Sequence, residues 1–406
     1  MNYYLGKPRQ NKKKRILILL LALFLSVSVS YMVFSRFQAQ KETFQPAQET
    51  MKSESEPLDR PVIGLVTPLS GPFKREGEFF RQGAELAWKE LQSQGVHGDL
   101  TVLDSGKEDA ETIRSVEEFL SNPKSAVLMT HLPMTVLSKI IPDCERRGII
   151  LVAPAGSHEN LVDKPRVVSF IPSDSSEGRY AALVAGDLSD GKKTAILFDP
   201  SPYGEILLQG FRKGANSKML DFQEIPCKTD DPSLQKTIAE KLHPETSLVV
   251  LAGSPLWGTV VADILAEQDY KGRLLLPQSY ERMPLEDLSE HFAGRLYVLK
   301  PVVIKESGNT ALENFQKAFV QAYWKRPNEL ALLAYDAVCW VGSPLKEGIL
   351  SKEELWDRLR KGTNAGAPYQ GVSGKIFFDT EGRIQRPMVV TIYRDGKFVP
   401  APDREG

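Results

Sequence analysis

Cysteine is scarce in this chain: Cys144, Cys227 and Cys339 are the only three, an odd number with no CxxC spacing. That excludes a disulfide framework and a thiolate metal cluster, and it predicts buried free thiols. The five histidines are scattered, with no pair at metal-ligand spacing, so no metal site is expected. Neither sign of charge is in excess. A formal net charge of −1 offers no basic surface of the kind nucleic acid requires, which removes nucleic acid as a partner. Catalytic signatures are missing as well, since neither G-x-S-x-G nor G-x-G-x-x-G occurs. The stretch Gly186-Asp-Leu-Ser-Asp-Gly-Lys-Lys193 imitates a phosphate loop, but Lys193 stands where Ser or Thr is required, and the stretch joins a helix to a strand. No catalytic residue and no cofactor is expected, and the chain does not read as an enzyme.

Long apolar runs are absent with one exception. Lys7, Arg9, Lys12, Lys13, Lys14 and Arg15 precede Ile16–Phe34, which carries no charge. The basic flank predicts an N-terminus in the cytoplasm with everything after the run outside. The run reads either as an uncleaved single-pass anchor in the inner membrane or as a signal segment cleaved at the small residues near Ser26–Ser30. Residues 1–15 are then a cytoplasmic tail, 16–34 the membrane segment and 35–60 a polar tether without periodicity. Treated as a flexible coil, such a tether spans about 30 Å.

What remains, from Arg60 on, alternates strand and helix. The clearest unit runs from Ala126 to Ser157. Val127–Met129 and Ile149–Val152 are short continuous apolar runs, as in strands buried on both faces of a parallel sheet. Between them Val136, Ile140 and Ile141 recur at helical spacing. Strands at Val62–Val66, Leu100–Leu103 and Arg166–Ile171, with helices over Glu76–Leu91 and Ala110–Leu120, complete a first α/β lobe. The same alternation restarts at Thr194–Phe198 and continues to Arg295–Val298, which makes a second lobe. Helical patterns at Ala311–Trp324, Glu329–Val341 and Lys352–Arg360 follow it and need a surface to cover; the first lobe is the one available. Two strands at Gly374–Phe378 and Met388–Tyr393 and an Asp395-Gly396 hairpin turn close the chain. In such folds ligands lie beyond the carboxyl ends of the strands. The turns at Thr130–Thr135 and Pro154–Ser157 lie there, each with free N–H groups and a hydroxyl suited to a small anion. Ser157 reads equally as the cap of a following helix, and Trp257 as packing within its lobe.

These features together resemble a known family, the type I periplasmic solute-binding proteins of the branched-chain amino acid (Leu/Ile/Val) group. The resemblance spans Val62 to Val399. It rests on Ile63-Gly-Leu-Val-Thr-Pro-Leu-Ser-Gly-Pro with Gln82-Gly-Ala, Ala153-Pro-Ala-Gly-Ser, Ser173-Asp-Ser-Ser-Glu-Gly, Tyr203-Gly-Glu, Ala334-Tyr-Asp-Ala and Gly371-Val-Ser-Gly-Lys-Ile-Phe-Phe-Asp. It implies two doubly wound parallel-sheet lobes joined by a three-stranded hinge, here 61–172 plus 303–372 and 173–302 plus 373–406, closing on a ligand. The implied contacts are Ala155, Gly156 and Ser157 for a carboxylate, Met134 and Thr135 from the neighbouring turn, Ser70, Tyr203, and Gln278. The last is a departure, because an acidic residue holds the ligand's ammonium at that place in the family. A neutral amide gives no charge-assisted bond, so a carboxylate, an amide or another neutral solute is expected unless Glu281 or Asp199 supplies the charge. The implied partners are a small solute and an ABC permease, with the membrane reached through the N-terminal segment. The alternative is an envelope regulatory or interaction module with a degenerate cleft.

Overall fold

The computed structural model describes residues 58–106, 108–162, 164–282 (the last two as backbone), 291–301, 309–348, 350–379, 383–394 and 396–401. The expected tail, membrane segment and most of the tether lie outside these residues. Among the described residues no helix is long and apolar enough to cross a membrane.

The first sheet is wholly parallel. Its strands are β1 (Val62–Thr67), β2 (Asp99–Asp104), β3 (Ser125–Thr130), β4 (Ile150–Ala153) and β5 (Val167–Ser169), in the order β2-β1-β3-β4-β5. Every residue of β1, β3 and β4 is buried, as continuous apolar runs require when helices cover both faces. The covering helices include α1 (Lys74–Ser93), α2 (Asp109–Ser121) and α3 (Met134–Arg146). Between the sheets comes α4 (Asp174–Leu188). The second sheet contains β6 (Lys193–Phe198), β7 (Phe222–Pro226), β8 (Thr246–Ala252), β9 (Arg273–Leu276), β10 (Leu296–Lys300), β14 (Val389–Arg394) and β15 (Lys397–Pro400). Their order is β15-β14-β10-β9-β8-β6-β7, with only the β14 and β15 pairings antiparallel. Helices α5 (Pro202–Lys218), α6 (Leu234–Lys241) and α7 (Pro255–Glu267) connect its parallel strands.

The late helices α8 (Thr310–Tyr323), α9 (Glu329–Leu345) and α10 (Lys352–Lys361) return to the first sheet. Leu312, Phe319, Ala331, Trp340 and Leu355 share one core with Ile63, Phe80 and Val127. Close approach of α9 to α1 depends on Gly83, where a Cβ would sit 2.0 Å from the Ala331 carbonyl oxygen. A small sheet of β11 (Tyr369–Gly371), β12 (Gly374–Phe378) and β13 (Ile384–Gln385) follows. Its Ile376 and Phe378 also enter the first core. Thus the chain leaves the first lobe for good only at Arg386, later than the boundary at 373 expected from sequence. The other boundary also moves. Leu58 is buried and pairs with Leu350, and Arg60 bridges to Asp99 at 2.7 Å, so residues 58–60 belong to the fold and not to the tether. The chain passes between the lobes at 170–173, between Pro301 and Asn309 (residues 302–308 lying outside the described ones) and at 386–388.

All three cysteines are free, Cys144 and Cys227 buried. Trp257 is buried in the second-lobe core and donates its indole N–H to the Cys227 carbonyl at 2.7 Å.

Candidate functional site

In both sheets the strand order reverses beside the first strand, between β1 and β3 and between β6 and β8. The crevice beyond the strand ends is therefore where a ligand is expected. A cavity of about 260 Å³ lies there, lined by Ala155, Ser157 and Ile171 of the first lobe and by Tyr203, Gln278 and Ser279 of the second, with Pro301, Glu329, Leu330 and Leu333. Ala155 and Ser157 arrive on the turn after β4. Tyr203 stands on the first turn of α5, whose N-cap Ser201 accepts from the Gly204 N–H at 3.4 Å. Gln278 comes one residue after the end of β9, past Pro277, at the start of a 3-10 turn.

Four of the eight candidate residues thus converge, from three separate turns. The others do not line this cavity. Gly156 faces a neighbouring one. Met134 begins α3 and packs against the core on that side of the sheet, and Thr135 is exposed. Ser70 bonds to Asp104 in the β1 turn. Nor does Ser157 act as the helix cap: His158 occupies the N-cap of the short 3-10 helix Glu159–Leu161 and accepts from the Asn160 N–H.

Directly behind the lining residues stand two carboxyl groups that reading the sequence missed, Asp174 and Glu177 on the first turn of α4. Both are buried, Glu177 to 1% exposure. Glu177 accepts the backbone N–H of Gln278 on one oxygen and the Gln278 side-chain Nε2 on the other at 3.3 Å. Asp174 bonds to the Ser157 side chain. One helical turn thus holds a cavity residue from each lobe. Burial pushes Glu177 up to about 8, against the lowering effect of its Gln278 donors and with a further push from Asp174. Burial raises Asp174 to about 6, with the Ser157 hydroxyl opposing and Glu159 adding. Burial also raises the Tyr203 phenol, with Glu177 contributing; its hydroxyl donates to Ser279 Oγ at 3.4 Å. Of the two groups thought able to supply charge, Asp199 does not line the cavity, and the side chain of Glu281 lies outside the described residues.

The signal for α4 was present. Ser173 followed by Asp174 and Glu177 is a helix-start pattern, and Ser173 does cap the helix, accepting from the Ser176 N–H at 3.3 Å. Among the described residues, no group of three or more His, Cys, Asp or Glu is arranged to hold a metal ion.

The sequence profile of the periplasmic binding protein family matches residues 62–397. A Leu/Ile/Val-binding protein homolog from Brucella abortus is 21% identical over 362 residues, covering 83% of this chain and 92% of that one. A leucine-, isoleucine-, valine-, threonine- and alanine-binding protein from Pseudomonas aeruginosa is also 21% identical, over 82% of this chain and 89% of its own. Among solved structures, an ABC transporter substrate-binding protein from Desulfitobacterium hafniense in complex with Leu superposes with a TM-score of 0.69 at 20% identity, covering 84% of this chain and all of that one.

Proposed function

The chain belongs to the periplasmic binding protein family, and from that premise we propose that it is an extracytoplasmic receptor that captures an amino-acid-like solute between its lobes for delivery to an ABC permease. The convergence of Ala155, Ser157, Tyr203 and Gln278 on one cavity carries this reading. The Gly156 N–H is taken by the Ala153 carbonyl at 2.9 Å, so the Ala155–Ser157 turn would meet a carboxylate with the N–H groups of Ala155 and Ser157 and with a Ser157 hydroxyl that turns from Asp174 to the solute. Gln278 has its Nε2 committed to Glu177, so its Oε1 is the polar atom left for a solute, an acceptor for an ammonium or an amide N–H. In this reading Glu177, one hydrogen bond behind Gln278, takes over from the missing acidic residue only where it is ionised, above about pH 8. Contacts from both lobes form together only in the closed form, so the solute shifts the population toward closure. Family membership favours this over an interaction module. The apolar run Ile16–Phe34 would tether the receptor to the inner membrane.

A thermal-shift series with L-leucine, L-leucinamide and 4-methylpentanoate tests it. The midpoint should rise with the concentration of at least one of them. Ser157→Ala should weaken that solute about 10- to 100-fold, the effect of losing a hydrogen bond to a charged group. A folded protein indifferent to all three, and to other small amino acids, would defeat the proposal.

A further inference from the structure

Outside the solute cleft, a cavity of about 400 Å³ lies between the β4–β5 connection, the exposed edge of β5, α10 and the β12–β13 hairpin. It adjoins the cleft, sharing Ser157 and Ile171 with it. Among the described lining residues the charged side chains are of one sign, Lys164, Arg166, Arg360 and Arg383, with no Asp or Glu. Of the acids nearby, Glu353 pairs with Arg166 at 3.3 Å, and Glu159 is taken up by the Ser175 N–H at 2.7 Å. Lys164 and Arg360 make no ion pair among the described residues. The apolar part of the wall is aromatic, with Trp356 and Phe378 edge to face at 6.1 Å. The volume falls in the range that encloses a small organic molecule. A concave basic surface with an aromatic back matches a ring or short apolar body bearing one anionic group, because both halves of such a ligand find complementary partners.

We propose that this cavity is a second binding site, for a small organic anion with an aromatic body, and that its occupancy is coupled to the hinge. Coupling follows from its walls. Ser173 belongs to the first passage between lobes, while Arg383 and Ile384 immediately precede the third. A molecule seated against both favours whichever lobe angle fits it better, and by reciprocity the cleft solute changes the anion's affinity by the same factor.

The test uses the full-length chain with benzoate and phenyl phosphate as probes and benzyl alcohol as the uncharged control, followed by titration calorimetry and tryptophan fluorescence. Both anions should bind saturably and the alcohol far more weakly. Lys164→Glu with Arg360→Glu should weaken the anions about tenfold or more, as reversing contacts to an ionised group requires. Anion binding should survive in Gln278→Ala. Saturating benzoate should shift L-leucine affinity about fivefold or more without competing for its site. That last arm rests on the solute reading; the direct titrations do not, so a protein that binds benzoate but not leucine loses the first proposal and keeps this one. Equal binding of alcohol and anions, indifference to the charge reversals, competition between benzoate and leucine, or no saturable binding would each overturn it. So would capture of an acidic peptide in place of the small anions.

Discussion

Glu177 stands directly behind the cleft residue Gln278, accepting both its backbone and its side-chain N–H. At neutral pH its buried carboxyl, raised to about 8, is mostly protonated. The native chain then holds a proton that the unfolded chain has shed at any pH between the ordinary carboxyl value of 4.5 and about 8. Stability therefore falls as pH rises through that window. Glu177→Gln should flatten this slope, which urea melts at pH 5, 6.5 and 8 would show; parallel slopes in both proteins would contradict the assignment. Ligand selectivity should move the opposite way. Ionisation between pH 7 and 9 strengthens Gln278 as a partner for an ammonium, so the preference for L-leucine over 4-methylpentanoate should grow by up to about tenfold and be insensitive to pH in Glu177→Gln. The sequence showed an amide at position 278 but not the carboxyl group behind it. Position 278 follows an apolar strand and is easy to place, whereas the contact between residues 101 positions apart exists only once the second lobe is folded.

At the level of elements, the regions read correctly are those whose burial is continuous or strictly periodic. Strands β1, β3 and β4 are apolar throughout, and α10 announces itself with a capping box from Ser351 to Glu354. Removing that cap in Ser351→Ala should cost about 1 kcal/mol, measurable by chemical denaturation. Helix α4 was missed for a physical reason. Between Glu177 and Leu188 its buried residues are Gly178, Ala181, Ala182 and Ala185, small side chains that carry little hydrophobic signal but allow α5 to lie against it. A Cβ at Gly178 would fall 2.1 Å from the Leu207 carbonyl oxygen. Gly178→Ala must therefore separate the two helices and carry Glu177 with it. The expected loss is about 2–4 kcal/mol of stability, together with weakened solute binding at temperatures where the variant is folded. An unchanged melting curve would show that the helices are not in contact as described.

Across the whole molecule, the passages between lobes are held by a buried polar network. Asp336 on α9 accepts the N–H groups of Val372 and Ser373, each at 2.8 Å, and the Ser373 hydroxyl. Arg386, 2% exposed, donates to the Ser373 carbonyl at 2.8 Å and to Pro301 at 3.4 Å. This ties the second and third passages to the first lobe. Asp336→Asn removes the charge that faces buried Arg386 and should destabilise the protein by about 3–5 kcal/mol. None of this was legible beforehand. The alternation of strands and helices in the sequence indicated two lobes and the late return, but not which polar side chains secure the passages.

A small solute that bridges the lobes should hold them together, and small-angle scattering of the unit Pro57–Gly406 during titration with L-leucine reads that closure directly. The radius of gyration should fall and saturate at one solute per chain, and Gln278→Ala should require more solute to reach the same endpoint. A radius that does not change when leucine is bound, or a change that is indifferent to Gln278, would contradict it.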